Sequence, residues 1–147
     1  MKKVILIITH GRLASELINS AEMITGDKSF VHKLEISKDD SSEDLLKSIE
    51  IKMDQINPDE KNNVLILTDL YGGSCSNLSK NILERWTNVR VITGVNLPMV
   101  IAALTINPEA SLDDSVAKII NTGIKGIIDL GRDLINSRHI KNERNKD

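Results

Sequence analysis

Apolar and polar positions follow two rhythms along this chain, and one stretch of the first rhythm organises the rest. Val4-Ile5-Leu6-Ile7-Ile8-Thr9-His10-Gly11 is an unbroken aliphatic and β-branched run that stops on a histidine and a glycine. A run apolar on both alternating faces predicts a central parallel strand with helices on either side. It delivers His10 to the carboxyl edge of the sheet, where open α/β folds bind their ligands. Val64-Leu65-Ile66-Leu67-Thr68-Asp69 repeats the pattern and also ends on an ionisable residue. Residues 30–36 alternate instead, with His32, Lys33 and Glu35 between apolar positions. That spacing predicts a strand with one wet face or at an edge. Residues 89–95 form a fourth strand.

Between these runs the period changes to that of a helix. Leu13, Ala14, Leu17, Ile18, Ala21 and Ile24 make one apolar stripe, closed by Gly26. Asp40-Ser41-Ser42-Glu43 is a capping-box-like start, after which Leu45, Leu46, Ile49, Met53 and Ile56 form a second stripe ending before Pro58. Tyr71-Gly72-Gly73-Ser74-Cys75-Ser76-Asn77 is a glycine and hydroxyl loop feeding a third helix, with Leu78, Ile82 and Leu83 inward. Asn96-Leu97-Pro98 opens a short apolar helix through Leu104, proline being tolerated in a first turn. Ser111 caps a further helix with Leu112, Val116, Ile119 and Ile120 inward and Gly123 at its end. Residues 124–130 fit either a short fifth strand or more helix. The charged tail, residues 132–147, is expected to be frayed, leaving one domain over residues 1–131.

Composition narrows the chemistry. The 147 residues suffice for one self-supporting core, and no apolar run reaches the roughly 18 to 20 residues of a membrane span. A single cysteine, Cys75, allows no internal disulfide and argues against a cysteine-based metal site, so a reducing cytoplasm is the expected location. A net charge of −2 does not suit a nucleic-acid binder. Phe30, Tyr71 and Trp86 are the whole aromatic set, too few for flavin or base stacking, and no cofactor is expected.

Strand order decides which residues can meet. In the order 2-1-3-4, strands one and three are neighbours about 4.8 Å apart, and His10 comes within hydrogen-bond reach of Asp69. In the order 3-2-1-4 an intervening strand would separate them by roughly 10 Å. The half-polar second strand suits an edge, which favours 2-1-3-4. A carboxylate on one imidazole nitrogen fixes the tautomer and leaves the other nitrogen as a nucleophile. Backbone N–H groups at two helix starts, after Gly11 and after Gly72-Gly73, together with the hydroxyls of Ser74 and Ser76, would suit a phosphoryl group. The residues thus point to a histidine that accepts and hands on a phosphoryl group. Each has a plainer reading: Asp69 and the serines as ordinary helix starts, His32 and His139 as surface residues, Cys75 as a small residue. Asn96, Pro98 and Met99 either shape the rim of the site or only begin a helix.

Thr9-His10-Gly11, Ala21-Glu22-Met23, Asp69 with Gly72-Gly73-Ser74, and Gly94-Val95-Asn96-Leu97-Pro98-Met99 stand in order over residues 3–126. Together they resemble the IIA domain of the mannose/fructose/sorbose family of the bacterial phosphoenolpyruvate-dependent sugar phosphotransferase system. The resemblance implies that His10 is phosphorylated by the phosphocarrier HPr and passes the group to a IIB component. The IIB component in turn serves the membrane-embedded IIC and IID proteins. It implies Asp69 as the partner of His10, Ser74 at the phosphoryl oxygens, and a homodimer in which an antiparallel fifth strand, falling on residues 124–130, is exchanged between subunits. Arg12 and Leu13 stand where some relatives carry an aromatic and a small residue, and Cys75 where proline is common.

Rival readings are weaker on their residues. A receiver-like regulatory module would need acidic magnesium ligands where Thr9-His10 stands. A hydrolase built on Ser74 or Cys75 lacks a nucleophile-elbow pattern. The phosphotransfer subunit of a dihydroxyacetone kinase shares the fold and the histidine, but the Thr9-His10-Gly11 and Gly94-to-Met99 motifs favour the sugar-transport component.

Overall fold

The computed structural model describes residues 3–26, 30–57, 63–70, 74–132 and 134, with the side chains of 74–77 and 79 outside the described set. Strands and helices alternate: β1 (Lys3–His10), α1 (Leu13–Thr25), β2 (Val31–Ile36), α2 (Ser42–Ile56), β3 (Asn63–Thr68), α3 (Ser74–Arg85), β4 (Val89–Thr93), then α4 (Leu97–Leu104) and α5 (Leu112–Lys125). All strand pairs are parallel and the order is β2-β1-β3-β4, as the edge character of β2 required.

Each central strand feeds two cores. Leu6, Ile8, Val64 and Ile66 pack on α2 and α3 through Leu45, Ile49, Met53, Ile82 and Trp86. Ile5, Ile7, Leu65 and Leu67 face the other way, onto Ala14 and Ala21 of α1, Val100 and Ala103 of α4, and Ile119 of α5. Such double burial is why β1 and β3 read as continuous apolar runs. Strand β2 keeps only Ile36 buried.

Local signals hold the ends. The hydroxyls of Ser41 and Ser111 accept the N–H of Asp44 and Asp114, and the Asn96 side chain accepts that of Met99, each satisfying an otherwise unpaired amide of a first turn. Gly26, at φ +76°, closes α1. Gly123 does not end α5, which runs on to Lys125. It is a packing notch instead, because a Cβ there would stand 2.4 Å from Cγ of Met99.

Other expectations shift at the edges of elements. Phe30 precedes β2 and contributes its carbonyl, which accepts the Ile5 N–H at 2.9 Å. Leu83 and Ile120, read as inward, are exposed, whereas Trp86, one residue past α3, is buried. Residues 127–129 belong to no strand in the single chain, and Ile124, Ile127, Ile128 and Leu130 are all exposed. Most of the expected tail, residues 133 and 135–147, lies outside the described residues.

Candidate functional site

His10 is the last residue of β1 and Asp69 the first after β3. Because Ile8 pairs with Thr68 in register, the two side chains leave adjacent strand tips on the carboxyl edge of the sheet. One carboxylate oxygen of Asp69, Oδ2, accepts both the backbone N–H of His10 at 2.9 Å and its ring Nδ1–H at 3.0 Å. Oδ1 lies 3.2 Å from the same ring nitrogen and accepts the Leu70 N–H at 2.8 Å. Burial alone would push this carboxyl up. The bonds from the His10 backbone and ring and from the Leu70 amide outweigh it and hold the carboxyl below its ordinary value.

An ionised acceptor on Nδ1 keeps the proton there and leaves the Nε2 lone pair open. The His10 side chain is 51% exposed.

The loop after His10 is tied at both sides. Gly11 takes φ +55°, a left-handed turn in which glycine carries no Cβ penalty, and its N–H donates to the Ile36 carbonyl at 2.9 Å. Thr9, fully buried, turns its hydroxyl to accept the Ala14 N–H at 2.7 Å. It thereby does the capping that Arg12, at the N-cap position of α1, does not. The Gly11 amide, read from sequence as a phosphoryl donor, is thus already engaged. The next two amides, of Arg12 and Leu13, have no backbone acceptor among the described residues. They point the positive end of α1 at the site. These are the donors that the sequence reading placed after Gly11.

Of the second predicted cradle, Gly72 and Gly73 lie outside the described residues. Ser74 opens α3, but its side chain, like that of Ser76, is also outside them. Backbone bonds lock the strand tips: the Gly94 N–H donates to the Asp69 carbonyl at 3.2 Å and the Val95 N–H to the Thr68 carbonyl at 2.9 Å. Asn96 caps α4 by accepting the Met99 N–H at 3.1 Å and donates to the Gly123 carbonyl of α5 at 3.3 Å, while Met99 and Pro98 lie against Gly123 and Gly126. Among the described residues no group of three or more His, Cys, Asp or Glu is placed to hold a metal ion, and no helix is long and apolar enough to cross a membrane.

Residues 4–120 match the family model described as "PTS system fructose IIA component". The mannose-specific EIIAB component of the phosphotransferase system of Escherichia coli (strain K12) is 32% identical over 124 residues, 84% of this chain. The chain spans 38% of that relative's length. The crystal structure of the phosphotransferase component EIIA from Streptococcus agalactiae has a TM-score of 0.76 at 28% identity, covering 88% of this chain and 98% of the other. The mannose/sorbose-specific IIA subunit from Enterococcus faecalis shares the fold, with a TM-score of 0.78 at 24% identity over 88% of this chain and 96% of that one.

Proposed function

Since the chain belongs to the mannose-type IIA family of the bacterial sugar phosphotransferase system, we propose that it carries a phosphoryl group on His10, from phospho-HPr to a IIB component. The lone pair of Nε2 attacks phosphorus in line with the donor's bond to it. That bond breaks, its electron pair returns to the donor, and the phosphoryl group passes to Nε2. The ring then carries positive charge, which the Asp69 carboxylate on Nδ1–H balances. The amides of Arg12 and Leu13, without a backbone acceptor among the described residues, suit the phosphoryl oxygens, and Gly72, Gly73 and Ser74 are the remaining candidates for the cradle. The observation that carries this reading is the His10–Asp69 bond, which holds one imidazole nitrogen and leaves its partner open.

Partners and assembly belong to the same proposal. The chain acts in the cytoplasm, at the IIC and IID proteins of the membrane, through a IIB component. It pairs as a homodimer in which each subunit gives residues 124–130 to the other. The cluster of exposed large apolar side chains in that segment supports the pairing.

Incubation with phosphoenolpyruvate, enzyme I and HPr tests the reading. The expected product is an acid-labile, alkali-stable phosphate on His10, absent from His10→Ala; a label that survives that substitution removes the assignment. Asp69→Asn should leave the fold intact and slow transfer on the order of a hundredfold.

A further inference from the structure

We propose that Arg12 is a ligand of the phosphoryl group on His10, exchanging its contact with Glu16 for the phosphoryl oxygens when the histidine is loaded. The proposal rests on His10 as the acceptor. Arg12 stands two residues after His10, at the helix start whose Arg12 and Leu13 amides have no backbone acceptor among the described residues. Its side chain is 82% exposed, and its ion pair is a single contact, Nη2 to Glu16 Oε1 at 3.2 Å, with Glu16 exposed as well. An exposed pair one helical turn apart holds weakly, because water competes and two long side chains must be ordered. The guanidinium, carried two residues after His10, is therefore held only weakly by Glu16.

Its charge already acts along this edge of the sheet. Glu35, level with Thr9 in β2, is held below the usual carboxylate range, first by the Ser15 hydroxyl, against a burial effect, and more weakly by Lys33 and Arg12. Within three chain positions of His10 and of Asp69, Arg12 is the one positively charged residue. The Asp69 carboxylate already occupies the other side of the ring. A phosphoryl group on Nε2 therefore adds negative charge to a site that holds a carboxylate. The planar fork of arginine matches phosphoryl oxygens with two parallel bonds, against the single bond Glu16 receives.

Equilibration of the chain with radiolabelled phospho-HPr, followed by timed hydrolysis of the isolated phosphorylated protein, tests this. Arg12→Gln should lower the equilibrium loading of His10 against HPr about tenfold and shorten the life of the phosphohistidine. Arg12→Lys should recover part of both. Glu16→Gln, which removes the competing carboxylate, should shift loading the opposite way. A purely structural ion pair would make the Arg12 and Glu16 variants behave alike, so a shift in the same direction overturns the proposal. Wild-type loading and lifetime in Arg12→Gln also overturns it. Absence of label from wild-type His10 would instead remove the acceptor itself.

Discussion

At the scale of single residues, Asp69 links chemistry to stability. Its carboxyl titrates below its ordinary 3.8 in the folded chain, so the bonds to His10 and Leu70 stabilise fully above about pH 5. That contribution falls away as pH drops through the unfolded value and then through the lower folded one. Glu35 and Asp44, held low by the hydroxyls of Ser15 and Ser41, act with the same sign, so the difference between two proteins is the informative quantity. Thermal unfolding from pH 6 to 3 should show a smaller loss of melting temperature in Asp69→Asn than in wild type. Equal losses would mean that the carboxylate gains nothing from its place beside His10. The pairing itself was legible from sequence, because two apolar runs each ending on an ionisable residue admit contact only when the strands are neighbours. The engaged Gly11 amide was not, since it depends on a bond to Ile36 across the register of β2.

Among the elements, α1 is the one whose start matters most. Its first turn is capped from outside the helix, by a hydroxyl on the preceding strand. Thr9→Val keeps the shape and removes the acceptor, and should cost about 1 kcal/mol in urea unfolding, with Thr9→Ser closer to wild type; indistinguishable midpoints for all three would deny Thr9 its capping role. Strands β1 and β3 were readable because both faces of each are buried, and β2 because it alternates. The limits of the helical stripes were not: Leu83 and Ile120 keep the correct spacing yet fall at the margin of their stripes, where solvent begins. Trp86 continues the Leu78–Ile82 stripe by one further i+4 step, its N–H donating to the Ile82 carbonyl at 3.0 Å, and is buried although it lies one residue past α3. Gly123 read as a stop because glycine often is one, while its buried place against Met99 requires knowledge of the helix across from it.

For the molecule as a whole, the undecided segment is 124–130, where Ile124, Ile127, Ile128 and Leu130 are exposed. Ile127 is 79% exposed, and a strand completed only by a second copy, as proposed, would not be legible in one chain. Sedimentation should give twice the 16.3 kDa of one chain, and the double variant Ile127→Asp, Ile128→Asp should give a single one; a monomeric wild type removes the exchanged strand. On the opposite concern, docking, Leu13 and Leu70 are both exposed beside the site, Leu70 by 64%. Leu70→Asp should raise KM for HPr about tenfold with little change in kcat, and an unchanged KM would place the contact elsewhere. If His10 carries the phosphoryl group as proposed, then because the ring nitrogen facing Asp69 is occupied, a single nitrogen serves both its arrival and its departure. Incoming and outgoing proteins must therefore take turns on one doorstep, and no ternary traffic can form. Flux then follows a double-displacement law, in which excess of either protein slows the other.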